Sequence, residues 1–441
     1  MFPGPPTLPL PPRPDLEQYR TLAKELVRAC AAGPSAPSPI RAWAEGWLEG
    51  LRRASGEPDS DGARRELHSA ARQVTEFATA KLTGGKRRCA LSDAQFVLAR
   101  SHGFDGWPKF AAHVDALAHR SGATAEFEAA ADAIVAGDEA ELRRLLGANP
   151  GLVHARSTRE HRSTLLHYVA ANGVENWRQR TPENIVAIAR ILLDAGAEVD
   201  AESDAYGGRS TTLGLAATSV HPYLAGVQNP LLQVLLERGA DVEHRDVNGN
   251  SMILGCLANG RGPAAAYLAG RGARLGLIEA AGVGRLDVVK TFFDERGALK
   301  PGVAPRTVVD AFFHACGWGS RDVVVWLLDH GVALTAHDGD RQTALHWAAM
   351  GANLALVELL IARGAPLEAR NGYGGTVLGQ ALWSAAHGGA ADDFVPVLEA
   401  LIAAGAQVPK VHPPVNAKVD AVLARHGSAA DPTRHWDDDG S

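Results

Sequence analysis

A short apolar segment that ends in a glycine recurs between residues 192 and 408. Each copy has two adjacent apolar residues, a few further residues, a glycine and a small residue, as in LLDAGAEVD at 192–200. The apolar pair predicts the buried side of a helix, and the glycine predicts its end, because glycine adopts the left-handed conformation that closes a helix. The seven glycines are Gly196, Gly239, Gly272, Gly297, Gly331, Gly364 and Gly405.

The spacing of these glycines indicates a repeated structural unit. Successive intervals are 43, 33, 25, 34, 33 and 41 residues, so the period is about 33. The two long intervals predict insertions, and the short one predicts a truncated loop. A single unit of this size cannot bury its apolar side, so neighbouring units must stack.

A threonine-led phrase precedes several of these segments. TLLHYVA begins at Thr164, TTLGLAA at Thr211, TALHWAA at Thr343 and TVLG at Thr376. The threonine can cap a helix, and paired alanines let two helices approach closely. The phrases resemble the Thr-Pro-Leu-His-x-Ala-Ala signature of the ankyrin-repeat family, without its proline. The resemblance implies an all-α ankyrin-repeat solenoid of about eight helix-turn-helix units with short projecting turns, preceded by a small helical module.

The same patterns divide the chain into five segments. We expect a proline-rich disordered start at 1–14, a helical module at 15–120, the repeat array at 125–409, a closing helix within 410–427 and a disordered acidic tail at 428–441.

The sequence of the N-terminal module predicts three or four helices separated by linkers rich in Pro, Gly and Ser. Its last part contains Gly103-Phe104 and then Trp107-Pro108. This stretch resembles a helical module found ahead of bacterial ankyrin arrays, and the resemblance implies no activity.

Charge and cysteine usage exclude several classes of protein. The chain has 44 basic and 50 acidic residues, a net charge of -6, which is unlike a nucleic-acid-binding protein. The basic cluster at 86–88 is predicted to be a solvated loop.

Four widely spaced cysteines predict neither a disulfide framework nor a zinc ribbon, and they favour a reducing compartment. Without a predicted signal peptide or membrane span, the sequence indicates a soluble, cytoplasmic protein.

The usual catalytic motifs do not occur in the sequence. Hydrolase, zinc-protease, calcium-loop and complete dinucleotide-binding signatures are missing, so we predict no catalytic residue, metal or cofactor. His154, His161 and His167 are spaced unfavourably for a metal on one helix face. By the resemblance, His167 and His346 are framework residues whose imidazoles tie adjacent units together.

The resemblance also implies that a protein partner binds the projecting turns and the loop-side ends of the first helices, along a concave face. The turn positions are Tyr206, Asn248, Asn250, Asp340, Gln342 and Tyr373; the helix-end positions are Asn172, Thr218, Asn259, Trp318, Met350 and Trp383.

Insertions in the second and third units add further candidates. Extra loops at a binding face often carry specificity, and the side-chain types of Trp177, Arg178, Arg180 and Tyr223 are enriched at interfaces. We therefore predict a non-catalytic scaffold that binds a protein. One alternative is an enzyme or small-molecule-binding protein whose pocket lies under these inserted loops, with His221, His314 or Asp340 as acid–base groups; another is a basic N-terminal module that acts on nucleic acid or membrane.

Overall fold

The computed structural model describes residues 7–11, 13–33, 38–54, 61–83, 89–118, 122–388, 390–434 and 436. The basic cluster at 86–88 lies outside these residues. The chain forms two compact units, the first at residues 1–252 and the second at 253–441.

Five helices form the N-terminal module of the first unit. They are α1 (Leu16–Ala31), α2 (Pro39–Ala54), α3 (Asp61–Thr83), α4 (Leu91–Ser101) and α5 (Trp107–Ala118). Their shared core includes Tyr19, Trp47, Phe104 and Phe110, all buried. The sequence analysis expected three or four helices and missed α5, which begins at the Trp107-Pro108 pair.

Part of the proline-rich start is attached to this module. Leu8 is buried, its N–H donates to the Ser101 carbonyl at 2.6 Å, and its own carbonyl lies 3.0 Å from His102 Nδ1. Leu8 is therefore ordered, contrary to the expected disorder, because its side chain packs into the core of the module. Residues 1–6 lie outside the described part of the chain.

Cys30 and Cys89 form a disulfide bond that joins the end of α1 to the segment before α4. Their Cα atoms lie 6.2 Å apart, although 59 residues separate them in sequence. The absence of nearby cysteine pairs in the sequence was therefore misleading for these two, since folding of the module brings them together. Cys256 and Cys316 are buried as thiols.

Helical pairs follow the module in the first unit. The α-helices are α6 (Ala123–Ala136), α7 (Glu139–Ala148), α8 (Ile185–Asp194), α9 (Thr212–Thr218), α10 (Val220–Leu224) and α11 (Gln228–Glu237). The first helix of the second pair is a 3-10 helix, Leu165–Ala170, and further 3-10 turns lie at Pro150–His154, Asn176–Arg178 and Ala205–Gly207. Two short antiparallel strands, β1 (Glu202–Ser203) and β2 (Ser210–Thr211), enclose the last of these turns.

The second unit continues the alternation of first and second helices. The helices are α12 (Met252–Ala258), whose first residue lies at the boundary, α13 (Gly262–Gly270), α14 (Leu277–Gly282), α15 (Leu286–Lys290), α16 (Pro305–Gly317), α17 (Arg321–Asp329), α18 (Ala344–Met350), α19 (Leu354–Ala362), α20 (Val377–His387), α21 (Val395–Ala403) and α22 (Ala417–Arg425), with a 3-10 turn at Ala391–Phe394. Leucines, valines and alanines of successive pairs form one core. The number of repeats, eight by the sequence analysis, stays a prediction.

Six of the seven predicted glycines end a helix at the expected place. Gly196, Gly239, Gly272, Gly331, Gly364 and Gly405 each lie two residues beyond a second helix, with φ between 83° and 103°. The next residue then donates its N–H back into the helix, as Val332 does to Leu327 at 3.1 Å. This is the expected helix-closing arrangement.

The assignment of Gly297 as a helix-closing glycine was wrong. Helix α15 ends at Lys290, and Gly297 lies in a turn whose flanking residues, Phe293 and Leu299, form a β-bridge. The second helix of this pair is therefore short, and its apolar sequence leads directly into the turn. This accounts for the short interval of 25 residues before Gly297, whereas the interval of 34 residues after it is close to the period.

The C-terminal end of the second unit contains the predicted closing helix, α22, capped by Asn416. The tail expected to be disordered from Ser428 begins instead with β4 (Ala429–Ala430), which pairs in parallel with β3 (Val411–His412). Residues 435 and 437–441 lie outside the described part of the chain.

Candidate partner-binding surface

Two histidines connect helical pairs to the turns that follow them. Nδ1 of His167 accepts the Thr164 N–H at 3.1 Å, and its Nε2 lies 3.2 Å from the Ser210 carbonyl. His346 makes the same contacts with the Thr343 N–H, at 3.2 Å, and the Gly375 carbonyl, at 3.4 Å. Because a carbonyl can only accept, each Nε2 carries the hydrogen. The predicted framework role is confirmed.

The turns at 246–250, 294–298, 338–342 and 371–375 share one design, and we call them the projecting turns. In each, an Asp or Asn side chain accepts the N–H groups of the residues two and four positions later. Asp338 Oδ1, for example, accepts from Asp340 at 2.9 Å and from Gln342 at 2.8 Å. These hydrogen bonds fix the backbone locally, as in other Asx turns.

The last two projecting turns contact each other directly. The Gly372 N–H donates to the Asp340 carbonyl at 2.5 Å, and a Cβ at position 372 would lie 3.0 Å from that oxygen. A side chain at position 372 would therefore push the two turns apart by a few tenths of an ångström. Tyr373, the next residue, is 64% exposed. Asp340 is also exposed and Gln342 half-buried, so this turn pair presents an aromatic ring beside a carboxylate.

Three of the four predicted helix-end residues of the second unit are half-buried. Met350 ends α18, Trp383 lies on α20 with the His387 ring stacked at 4.3 Å, and Trp318 packs against Gly262. Asn259 is exposed at the end of α12. Trp318 and Trp383 thus combine a partly exposed surface with a packing partner, which suits a pre-ordered contact surface.

In the first unit, three predicted residues form a hydrogen-bonded chain. The Tyr206 hydroxyl donates to Asn172 Oδ1 at 2.6 Å, and Asn172 Nδ2 donates to Thr218 Oγ1 at 3.2 Å. Tyr206 is 70% exposed and has a φ of 52°, an unfavourable value for a tyrosine. Asn248 and Asn250 are exposed in the projecting turn after α11, where Asp246 accepts both of their N–H groups.

Residues 277–371 and 312–410 match the family model for ankyrin repeats, described as three copies. Residues 277–410 are therefore ankyrin repeats. The match confirms the resemblance seen in the threonine-led phrases, and it covers the part of the second unit from α14 to α21. No curated protein shows significant similarity to the chain.

The inserted loops lie outside the residues matched as ankyrin repeats, and their predicted residues have different environments. In the third pair, α10 is the insertion, and Tyr223 and Leu224 on it are exposed. In the second pair, Arg180 is exposed and Trp177 half-buried. These four side chains are available at the surface.

Arg178 was predicted at the same contact surface, but it is buried and only 3% exposed. Its Nη1 lies 2.8 Å from Glu128 Oε2, and its Nη2 lies 2.7 Å from Asp132 Oδ1. Both acids belong to α6. The arginine therefore ties the insertion to the first helix of the preceding pair, and a partner cannot reach it.

Arg178 belongs to a buried ion network that the sequence analysis missed. Arg159 Nη1 lies 2.5 Å from Glu128 Oε1 and 2.8 Å from Glu175 Oε1. The Trp177 ring packs over both guanidinium groups, with its centroid 5.6 Å from Arg159 Cζ and 5.8 Å from Arg178 Cζ. Only the pairing of Glu175 with Arg178, three residues apart, could have been suspected from the sequence.

Electrostatics within the network favour the charged forms. Burial alone would raise the pKa of Glu175, but Arg159 and Arg178 hold that pKa well below its ordinary value. Burial would likewise lower the pKa of Arg159, whereas Glu128 and Glu175 raise it. The insertion of the second pair thus covers a network of compensated charges. This arrangement gives no support to an acid–base pocket beneath it.

The three histidine and aspartate candidates for acid–base chemistry belong to three different elements. His221 lies on α10 in the first unit, whereas His314 lies on α16 and Asp340 in an exposed projecting turn of the second. The described part of the chain contains no cluster of three or more His, Cys, Asp or Glu residues that could hold a metal. Within it, no helix is long and apolar enough to span a membrane.

A serine, a histidine and an aspartate do form a chain at the C-terminal end. The Ser428 hydroxyl lies 2.8 Å from His412 Nδ1, and Asp420 Oδ1 lies 3.2 Å from His412 Nε2. Ser428 and His412 are both buried, so a substrate carbonyl cannot reach the hydroxyl. These bonds instead hold β3, α22 and the start of the tail together.

Proposed function

We propose that this ankyrin-repeat protein is a non-catalytic scaffold that binds a protein partner through its projecting turns, helix ends and inserted loops. Ankyrin repeats generally mediate protein–protein interaction, and the matched residues 277–410 contain the turn pair described above. The single observation that carries the proposal is the exposure of Tyr373, held on a turn that hydrogen-bonds to the neighbouring turn at Asp340.

The physical argument is that this surface is ordered before the partner arrives. A partner that binds flexible loops must order them at a cost in free energy, whereas the Asx side chains and the Gly372–Asp340 hydrogen bond already fix these turns. Aromatic side chains supply much of the binding energy at protein interfaces. Tyr373 and Trp383 are therefore the expected anchors.

The proposed contact residues of the second unit are Asn259, Trp318, Asp340, Gln342, Met350, Tyr373 and Trp383; those of the first unit are Asn172, Trp177, Arg180, Tyr206, Thr218, Tyr223, Asn248 and Asn250. Arg178 is removed from the set because of its burial.

Site-specific crosslinking tests the proposal. A photoreactive phenylalanine analogue is placed at Tyr373 and, as a control, at Tyr267, a half-buried tyrosine on the second helix α13. We expect a defined protein adduct from position 373 that position 267 does not give. The captured protein, once purified, should bind the full chain, and Tyr373→Ala with Trp383→Ala should weaken binding at least about tenfold. Equal capture at both positions, or undiminished binding by the double variant, would refute the contact surface.

A further inference from the structure

A groove of about 390 Å³ lies in the N-terminal module, between α1 and α2. Tyr19 and Leu22 line it from α1, and Trp47 and Leu51 line it from α2. Their spacings of three and four residues place each pair on one face of its helix. One face of each helix is therefore turned towards the groove, and both faces combine an aromatic ring with a leucine.

Two glycines of α2 keep the groove open. Gly46 and Gly50 line it one helical turn apart, and both are exposed. A Cβ at either position would meet nothing within 4 Å, so the packing of the described chain does not require glycine there. The missing side chains leave space in which the backbone of a bound peptide can approach α2 closely.

Tyr19 and Trp47 each bring a polar group without a partner to this groove. They are 3% and 7% exposed, and their rings are fixed against His102, with centroids 5.2 and 5.7 Å from its own. Within the described part of the chain, neither the Tyr19 hydroxyl nor the Trp47 indole N–H makes a hydrogen bond. The Trp43 indole N–H is fully enclosed without a partner, whereas these two groups are not fully enclosed. Since both residues line the groove, a molecule in it can reach both donors.

The polar groups of the lining call for a ligand that accepts hydrogen bonds. The Trp47 indole and the Arg13 guanidinium, at the exposed rim, can only donate, and none of the lining residues is acidic. A ligand with many N–H groups would find few acceptors here. Proline residues offer a carbonyl and no N–H, so a proline-rich segment matches this set of donors.

We propose that the groove binds a proline-rich segment of a partner protein in the polyproline II conformation. Its carbonyls accept from Trp47 and Tyr19, and its pyrrolidine rings pack on Leu22 and Leu51, as in other aromatic-lined grooves that bind such segments. The polyproline II helix is stiff before binding, so little free energy is spent on ordering it.

The protein's own sequence shows that the module accepts such a segment. The residues before α1 read Thr-Leu-Pro-Leu-Pro at 7–11, with Leu8 buried in the core of the module and Pro11 lining the groove. The proposed peptide would continue this proline-containing surface. The groove uses none of the contact residues assigned under the proposed function, so either assignment can fail without the other.

Nuclear magnetic resonance with the full chain tests the groove. The probe is an acetylated and amidated peptide of six prolines, and the control peptide has the same length and alternates glycine with serine. The indole N–H signal of Trp47 is assigned from its loss in Trp47→Phe. We expect this signal to shift and saturate with the proline peptide at concentrations up to about 5 mM, and the control peptide to bind at least about tenfold more weakly.

Two variants that keep Trp47 locate the site. Tyr19→Phe removes only the unpartnered hydroxyl and should weaken binding of the proline peptide about fivefold. Gly50→Leu fills the groove and should weaken it at least about tenfold, although a helical position with open space around its Cβ tolerates leucine.

Matched controls repeat both substitutions elsewhere. Tyr267→Phe removes a hydroxyl that also lacks a partner within the described chain, and Gly147→Leu adds the same side chain at an exposed position of α7. Both should bind the proline peptide as the wild type does. The proposal is overturned if the Trp47 signal does not saturate, if the glycine–serine peptide binds equally well, or if Tyr19→Phe weakens binding no more than Tyr267→Phe. The Tyr19 comparison decides the matter even if Gly50→Leu fails to fold.

Discussion

Arg159 Nη1 lies 2.8 Å from Glu175 Oε1, and both side chains are almost completely buried. Glu175 belongs to the insertion of the second pair, whereas Arg159 follows the first pair. Arg159 also reaches the N-terminal module, where its guanidinium carbon lies 5.6 Å from the centre of the Phe104 ring. One buried cation therefore connects the insertion, α6 and the module within the first unit.

Replacing Arg159 by methionine should destabilise the first unit strongly. The change keeps a long side chain but leaves Glu128 and Glu175 with one buried arginine instead of two. Removal of one partner from a buried ion pair typically costs about 3–5 kcal/mol, because the remaining charge stays buried without full compensation. Urea denaturation of the full chain, followed by circular dichroism, measures the loss in the free energy of unfolding.

Arg180→Met is the control for this experiment, because Arg180 belongs to the same insertion and is exposed. We expect it to change the free energy of unfolding by less than about 0.5 kcal/mol. Similar effects of the two substitutions would contradict the assigned role of the buried network.

The contrast between Arg178 and the helix-closing glycines shows what could be predicted from the sequence. Gly331 and Gly364 act within their own helix ends, so local chemistry and the repeat period are enough to place them. Arg178 is buried and pairs with Glu128, which is 50 residues away in the sequence. No local pattern indicates that pairing. Gly297 shows the limit of the period itself, since the phrase around it fits a helix end while the chain forms a turn.

The candidate surface likewise contains features that the sequence predicts and features that it does not. The residues on projecting turns, such as Tyr373 and Asn248, are exposed as expected because the Asx turn is a local structure. The Cys30–Cys89 bond and the Ser428–His412–Asp420 chain depend on contacts between distant segments. Such contacts follow from tertiary packing, so no residue spacing in the sequence predicts them.

The stability of the first unit should fall between about pH 6.5 and pH 4 partly because of His167. Burial lowers the pKa of this imidazole to about 4, although the Ser210 carbonyl acts in the opposite direction. In the unfolded chain His167 takes up a proton as the pH falls through 6.5, whereas the folded protein keeps it neutral down to about pH 4. Above pH 6.5 His167 is neutral in both states and causes no loss of stability. As the pH falls from 6.5 to 4, protonation of His167 in the unfolded chain lowers the free energy of unfolding by about 3 kcal/mol.

Comparison with His167→Gln isolates this contribution. The variant should be less stable at pH 7, because the bonds to Thr164 and Ser210 are altered, but its stability should decrease less on acidification. Urea denaturation at several pH values between 7 and 4 gives both quantities. The exposed His154 provides the control substitution, His154→Gln, which should keep the wild-type pH profile. If His167→Gln keeps that profile as well, the assignment fails.

Arg341→Gly should stabilise the second unit. Arg341 has a φ of 58° at the fourth position of its projecting turn, where the turns at 294–298 and 371–375 have Gly297 and Gly374. A residue with a Cβ is strained in this conformation by about 1 kcal/mol, so glycine should increase the free energy of unfolding by up to that amount. Thermal denaturation measures the change. The opposite change at the equivalent position of the last turn, Gly374→Ala, should lower the free energy of unfolding. An increase on that substitution would contradict the argument.

Asp338→Asn should separate two roles of one carboxylate. Oδ1 of Asp338 accepts the backbone N–H groups of its turn, and Oδ2 accepts the Trp347 indole N–H at 2.9 Å. Asn371 shows that an amide oxygen can fulfil the first role, but an amide nitrogen cannot accept from the indole. We expect a loss of about 1–2 kcal/mol for Asp338→Asn and a larger loss for Asp338→Ala, measured by urea denaturation. Equal losses would mean that the turn bonds contribute nothing, and Tyr373 would then lack the neighbouring ordered turn on which partner binding is proposed to depend.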